Sequence, residues 1–297
     1  VVKSLAWIGL ASQILGVMAS AQAPAAFDSG KAWEHLRQQV ALGPRPSGSI
    51  ANQKTRQYIA TTLAGFGIKT IEQAFEAATP NGHIKMVNLI GTLPGRRPER
   101  IVIASHFDTK LFREFRFVGA SDGGSSTAAL LELARVLKAG PQRPFTIEFL
   151  FLDGEEAVRE WQGTDNTYGS RYYVDAARKA GSLSSIRALI LLDMIGDRSL
   201  NIRRESNSTR WLTDIIWATA KKLGYSSQFL DEATPVDDDH IPFLKAGVNA
   251  VDIIDLDYSA WHTASDTIDQ VAAGSLQIVG NVVVAALPEI EQRLLKN

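Results

Sequence analysis

Thr146-Ile-Glu-Phe-Leu-Phe-Leu152 leads directly into Asp153-Gly-Glu-Glu-Ala157. The first part is an apolar run of strand length, and it ends in two adjacent glutamates, Glu155 and Glu156. In an open α/β sheet, ligands and catalytic groups collect where strands end at their carboxyl edge. Neighbouring carboxylates at such an edge divide labour, one binding a metal while the other handles protons. Taken alone the pair reads as a solvated acidic turn. Other segments of the chain supply matching groups.

Working outward, strands and helices alternate. Helical spacing predicts Ser29–Val40, with Trp33, Leu36 and Val40 on one side, and Asn52–Phe66, closed by Gly67. Between them Gly43-Pro-Arg-Pro-Ser-Gly48 is a loop. Strands are predicted over Ile68–Phe75, Lys85–Leu93, Arg100–Ser105, Phe145–Leu152, Ala188–Leu192 and Asn249–Ile254. Further helices are predicted over Ser125–Lys138, Tyr168–Ala180, Ser208–Leu223 and Gly274–Leu295. The unbroken apolar run at 188–192 is the pattern of a strand covered on both faces. The alternation predicts an α/β fold, a mostly parallel central sheet sandwiched by helices.

The N-terminus reads as a secretory signal, residues 1–21. Lys3 gives a basic start, Leu5–Met18 is mostly apolar, and Ala19-Ser-Ala21 and Ala21-Gln-Ala23 are small-x-small cleavage sites. The run is short for a membrane span, which needs about 20 residues, so an uncleaved anchor is the lesser reading. No later stretch is expected to approach spanning length. Residues 22–30 read as a linker and 31–297 as one catalytic domain. A secreted or periplasmic location follows from the signal. A cut after Ala21 would expose Gln22.

The chain holds 31 basic and 32 acidic residues, 30 against 32 without Lys3. That balance gives no reason to expect nucleic acid, or a membrane surface after cleavage, as partner. There is no cysteine, so a metal site here is built from His, Asp and Glu.

The other strand ends carry such groups. Ile101–Ser105 ends in His106-Phe-Asp108, and the loop after it reaches Gly119-Ala-Ser-Asp122. Leu191-Leu-Asp193 ends another strand, and late loops carry Asp237-Asp-Asp-His240 and Trp261-His262-Thr263. Of five histidines, His106, His240 and His262 fall in these segments. One Asp, one Glu and one His converging on a point make a zinc site with an open position. Each residue alone has a plain alternative: Asp122 as a helix cap, His262 as a hydrogen-bonded loop histidine, Trp161 and Trp261 as core.

The set His106-x-Asp108, Gly119-Ala-x-Asp122, Glu155-Glu156, Asp193 and His262 resembles the zinc aminopeptidase superfamily. The closer resemblance is to the animal-type glutaminyl-peptide cyclotransferases. It is carried by Ser105-His-Phe-Asp-Thr-Lys110, Phe117-Val-Gly-Ala-Ser-Asp122, Asp153–Ala157 with Trp161, Tyr168-Gly-Ser-Arg171, Leu191–Gly196, Asp238-Asp-His-Ile-Pro-Phe243 and Trp261-His-Thr263. The resemblance implies one zinc held by Asp122, Glu156 and His262. It implies Glu155 as proton shuttle, Asp193 and Asp238 as a hydrogen-bonded acidic cluster beside it, and Trp161 and Trp261 as pocket walls. His240 reads as structural, and the roles of His106 and Asp108 stay open. Some family members carry a disulfide where this chain has Ser105 and Thr127. Asp237 stands where vertebrate members carry a neutral amide.

The activity so implied is zinc-dependent cyclisation of an N-terminal glutamine, on peptides or proteins, to pyroglutamate with loss of ammonia. A zinc aminopeptidase with one or two metals, the second at His106 and Asp193, is the alternative. A catalytically dead binding domain is disfavoured, because no ligand position is lost.

Overall fold

The structure is a computed structural model that describes Val2 and residues 26–296; the signal reading and Gln22 lie outside them. Asp28 caps the first helix, α1 (Ser29–Leu42), by accepting from the Gly30 and Lys31 N–H groups. The helix thus begins inside the stretch read as linker, and Phe27 before it is already buried against Gly280. α2 (Ile50–Gly65) is capped by Ser49 and closed at Gly67, whose φ of 71° lets Ile68 N–H reach back to Leu63 C=O.

β1 (Lys69–Thr79) and β2 (Gly82–Leu93) form an antiparallel hairpin. Then come β3 (Arg97–His106), α3 (Ser126–Ala139), β4 (Phe145–Leu152), α4 (Tyr168–Lys179) and β5 (Ile186–Asp193). β6 (Ile202–Glu205), α5 (Arg210–Lys222), β7 (Phe229–Thr234), α6 (His240–Lys245), β8 (Ala250–Ile254) and α7 (Ala273–Leu295) complete the order. The six-stranded sheet runs β1-β2-β4-β3-β5-β8. β4, β3, β5 and β8 are mutually parallel, and the hairpin adds an antiparallel flank. β6 and β7 pair separately, in parallel.

Side-chain alternation along the strands explains the layering. Ile101 and Ile103 face a core built with α3, α5 and α7, while Val102 and Ala104 face α4 and α6. α7 corrects one expectation. It is long and apolar enough to cross a membrane, with mean hydropathy 1.4, yet half of that window is buried, and its apolar residues lie in the core. Because the four parallel strands share a direction, His106, Leu152, Asp193 and Ile254 end at one edge of the sheet. The loops leaving that edge build the site.

Candidate functional site

After β3 the chain makes a turn at Ala120–Ser125 that carries Asp122. The turn is held from both sides. Arg45, fully buried, donates from its guanidinium to the carbonyls of Phe107, Val118 and Gly119. Asp266 accepts from the N–H groups of Ser121 (2.8 Å) and Asp122 (3.2 Å) and from the Tyr258 hydroxyl. Gly123, at φ 70°, is required here: a Cβ would stand 2.9 Å from the His106 ring. Asp122 does not cap α3, since that helix has no side-chain cap.

The two glutamates follow β4. Gly154 makes the turn at φ 78°, and a Cβ there would stand 2.4 Å from the Met86 sulfur. Asp108, whose role the sequence left open, accepts from the Glu155 N–H (3.2 Å) and the Glu156 N–H (3.3 Å). One carboxylate thereby sets the backbone of both glutamates.

The donor atoms of Asp122, Glu156 and His262 lie within 4.8 Å of one another. His262 Nε2 is 3.3 Å from Asp122 Oδ2 and 3.4 Å from Glu156 Oε1. His262 is held at φ 52°, a left-handed conformation that an ordinary residue adopts at a cost of about 1–3 kcal/mol and that clusters at functional sites. Phe112 and Phe117 pack edge-on to its ring, and Trp261 stacks on it at 4.5 Å. Asp122 Oδ2 and Glu156 Oε2 are buried without a hydrogen-bond partner. Two unpartnered carboxylate oxygens beside an imidazole nitrogen fit a divalent cation, and the Asp–Glu–His set with no thiolate suits zinc.

The acidic residues behind this set are arranged differently from the expectation. Asp193 contacts His106 Nε2 at 3.0 Å and accepts from the Met194 N–H. His106 Nε2 is also 3.3 Å from Asp122 Oδ1, and His106, Asp122 and Asp193 form a second cluster of close donor atoms. Asp238 Oδ1 accepts from the Asp239 N–H, and its other oxygen has no partner. His240, read as structural, is wholly buried between Glu205 and Asp252, and Asp238, His240 and Asp252 form a third cluster of close donor atoms.

Burial pushes the Glu155 carboxyl well above the ordinary range; His106 opposes this, while Glu156 and Asp238 add to it. Burial also raises Asp238, with help from Asp193, to about 6. For His262 burial acts downward, but Asp122 and Glu156 outweigh it and lift the ring to about 9.

The donor set and three of the acids around it open on one cavity of about 480 Å³. Asp122, Glu155, Glu156, Asp193, Asp238 and His262 line it, with Trp161 and Trp261 as half-exposed walls. The Trp161 indole N–H reaches Asp237 at 3.4 Å across the mouth. Every sequence-predicted site residue therefore meets here. Glu205, Tyr258 and Asp266 were not read from the sequence. Asp266 was the most accessible of them, four residues past His262 in the same loop. The Ser105 and Thr127 hydroxyls are 3.2 Å apart and hydrogen-bonded.

Comparison with known proteins now gives the class. The model of peptidase family M28 matches residues 88–287, from β2 into α7, so the whole site lies inside it. A glutaminyl cyclase from an Acidobacteriales bacterium superposes with a TM-score of 0.88 at 39% identity, over 94% of this chain and 99% of that one. The mouse glutaminyl-peptide cyclotransferase-like protein is 32% identical over 75% of this chain and 66% of its own length. A Zn-dependent exopeptidase from Parabacteroides distasonis shares the fold at a TM-score of 0.80 and 25% identity, over 88% of this chain and 98% of that one. The chain belongs to the glutaminyl-peptide cyclotransferases of peptidase family M28.

Proposed function

We propose that this protein cyclises the N-terminal glutamine of peptides or proteins to pyroglutamate, releasing ammonia. The observation that carries the reading is the cavity itself. It is small, walled by two tryptophans, and sets a raised, buried glutamate beside an Asp–Glu–His donor set. That space suits one side chain and its amine better than an extended backbone.

Asp122, Glu156 and His262 would hold one zinc, which supplies Lewis-acid activation of the γ-carboxamide when bound. The chain's own residues do the rest. Trp161 and Trp261 clamp the glutamine side chain so that its α-amine folds back onto the γ-carbon, and much of the acceleration comes from that alignment. Glu155 takes a proton from the amine as the new C–N bond closes the five-membered ring. It returns that proton to the nitrogen of the breaking C–N bond, and ammonia leaves. A buried carboxyl with a raised affinity for protons is suited to both steps. Asp238 keeps the neighbourhood anionic and so supports the raised affinity of Glu155 for a proton, while Asp193 holds the His106 ring behind it.

A zinc aminopeptidase is the second reading, favoured by one observation. His106 and Asp193 share Asp122 in a cluster of close donor atoms, where a second metal would bind. An N-terminal Gln peptide and an N-terminal Leu peptide separate the readings. Ammonia release from the first without cleavage of the second is expected, with one zinc per chain. Leu release with two zincs overturns the proposal. Residues 31–297 are read as one catalytic unit. Export rests on residues 1–21, and fractionation of cells expressing the full chain tests it.

A further inference from the structure

Glu205 ends β6, well outside the donor set, and is 2% exposed. Its carboxylate takes five donors. Oε1 accepts from the Asn207 N–H and side-chain amide (both 2.8 Å) and from the Val236 N–H (3.1 Å). Oε2 accepts from the Ser208 hydroxyl (2.8 Å) and faces His240 Nε2 (3.0 Å). Val236 and His240 bound a short segment, and between them Asp237 and Asp238 line the cavity. The one side chain therefore grips both ends of the acidic wall. His240 continues the line inward, with Nδ1 3.5 Å from Asp252 Oδ2. A carboxylate can only accept, so the Glu205 contact puts a proton on His240 Nε2, while Asp252, which makes no hydrogen bond to Nδ1 and whose carboxyl burial pushes well above the ordinary range, demands none there.

We propose that Glu205 is the positioning residue of the substrate cavity: it pins Val236–His240 so that Asp237 and Asp238 face the substrate, and it fixes the His240 tautomer. The kinetic part rests on the cyclase reading; the tautomer part does not. Anchoring the wall places Asp237 and Asp238 against the substrate, so the larger effect falls on KM, with a smaller one on kcat through Asp238 beside Glu155.

Two variants test it. Glu205→Ala removes both grips. Glu205→Gln keeps the acceptor for Val236 but turns an amide N–H₂ toward His240, so the ring must accept at Nε2 and carry its proton on Nδ1. With N-terminal Gln peptides, Glu205→Ala is expected to raise KM about tenfold, the loss of a charged hydrogen bond, with zinc content kept and kcat within about threefold by the same argument. Glu205→Gln is expected to raise KM less and to swap the protonated ring nitrogen of His240 in ¹⁵N spectra of histidine-labelled protein. Unchanged KM in Glu205→Ala, or an unswapped His240 nitrogen in Glu205→Gln, overturns the proposal. Loss of zinc from either variant also overturns it, by moving the effect to the metal. If wild type cyclises nothing, the functional reading fails while the nitrogen signature still judges the role of Glu205. Should Glu205→Ala not fold, Glu205→Gln decides alone.

Discussion

His262 and His240 each sit between two carboxylates, and they do so in opposite ways. At His262 a single nitrogen, Nε2, faces both Asp122 and Glu156. At His240 each nitrogen has its own acid, Glu205 on one side and Asp252 on the other. The first arrangement converges on a point, which is how a cation is held. The second is a chain, which is how a segment is fixed. His262 is strained, partly exposed and edged by aromatic rings, while His240 is unstrained and sealed. The contrast teaches that a histidine between acids is not a metal ligand by composition, since Asp238, His240 and Asp252 also bring donor atoms within 4.8 Å of one another; what differs is that one nitrogen of His262 faces both acids while His240 presents one nitrogen to each.

The largest expected effect breaks the convergent centre. His262→Ala should lose the metal and lower turnover by about 10³-fold or more, since a Lewis acid supplies several kcal/mol. Elemental analysis and peptide assay check this, and retained zinc with retained rate would unseat His262. Next, Glu155→Gln should keep zinc and lose about 10²–10⁴-fold in kcat, the usual range for acid–base catalysis. A near-normal rate would make another group the shuttle.

Smaller effects come from the walls. Trp161→Ala should raise KM about three- to tenfold, from a stacking loss of about 0.5–1.5 kcal/mol, without change in bound zinc. Zinc loss in that variant would show that Trp161 supports the metal centre as well.

The smallest effect concerns acid stability on the His240 side. Burial works to raise Glu205, but His240 and the Asn207 N–H bring its carboxyl down to about 2, below an ordinary value near 4.3. A depressed carboxyl stabilises the fold above its unfolded pKa, and that contribution fades as pH falls from about 4.3 toward 2. Glu205→Gln should thus have a lower melting temperature than wild type at pH 6, with the gap narrowing by pH 3. A gap that stays constant would remove the linkage.

The strand-and-helix order and every residue of the convergent centre were legible because they ride on apolar strands that end in charge. The chain-like centre was legible only in His240. β6 is Ile202-Arg-Arg-Glu205, too short and too charged to show a period, and it exists by pairing with β7. α6 spans six residues and contains Pro242, which hides it from any helical pattern. Asp108, Asp266 and Glu205 act by accepting from backbone N–H groups far along the chain. A backbone donor has no sequence identity, so such partners leave no motif. α7 misled in the other direction, since a core helix and a membrane span share length and apolarity.

The convergent centre also fixes when a metal can be acquired. Its donors stand at positions 122, 156 and 262, in loops after three different strands of the parallel sheet. Such pairings are non-local and costly in loop-closure entropy, whereas the β1–β2 hairpin joins neighbouring segments. No fragment that ends before β8 carries the third donor. A metal ion held by these three residues would therefore find its site only on the finished fold, and its binding energy would add to the stability of that fold alone. Loading would then act as a final proofreading step, in which a chain that has not docked β8 lacks the third donor.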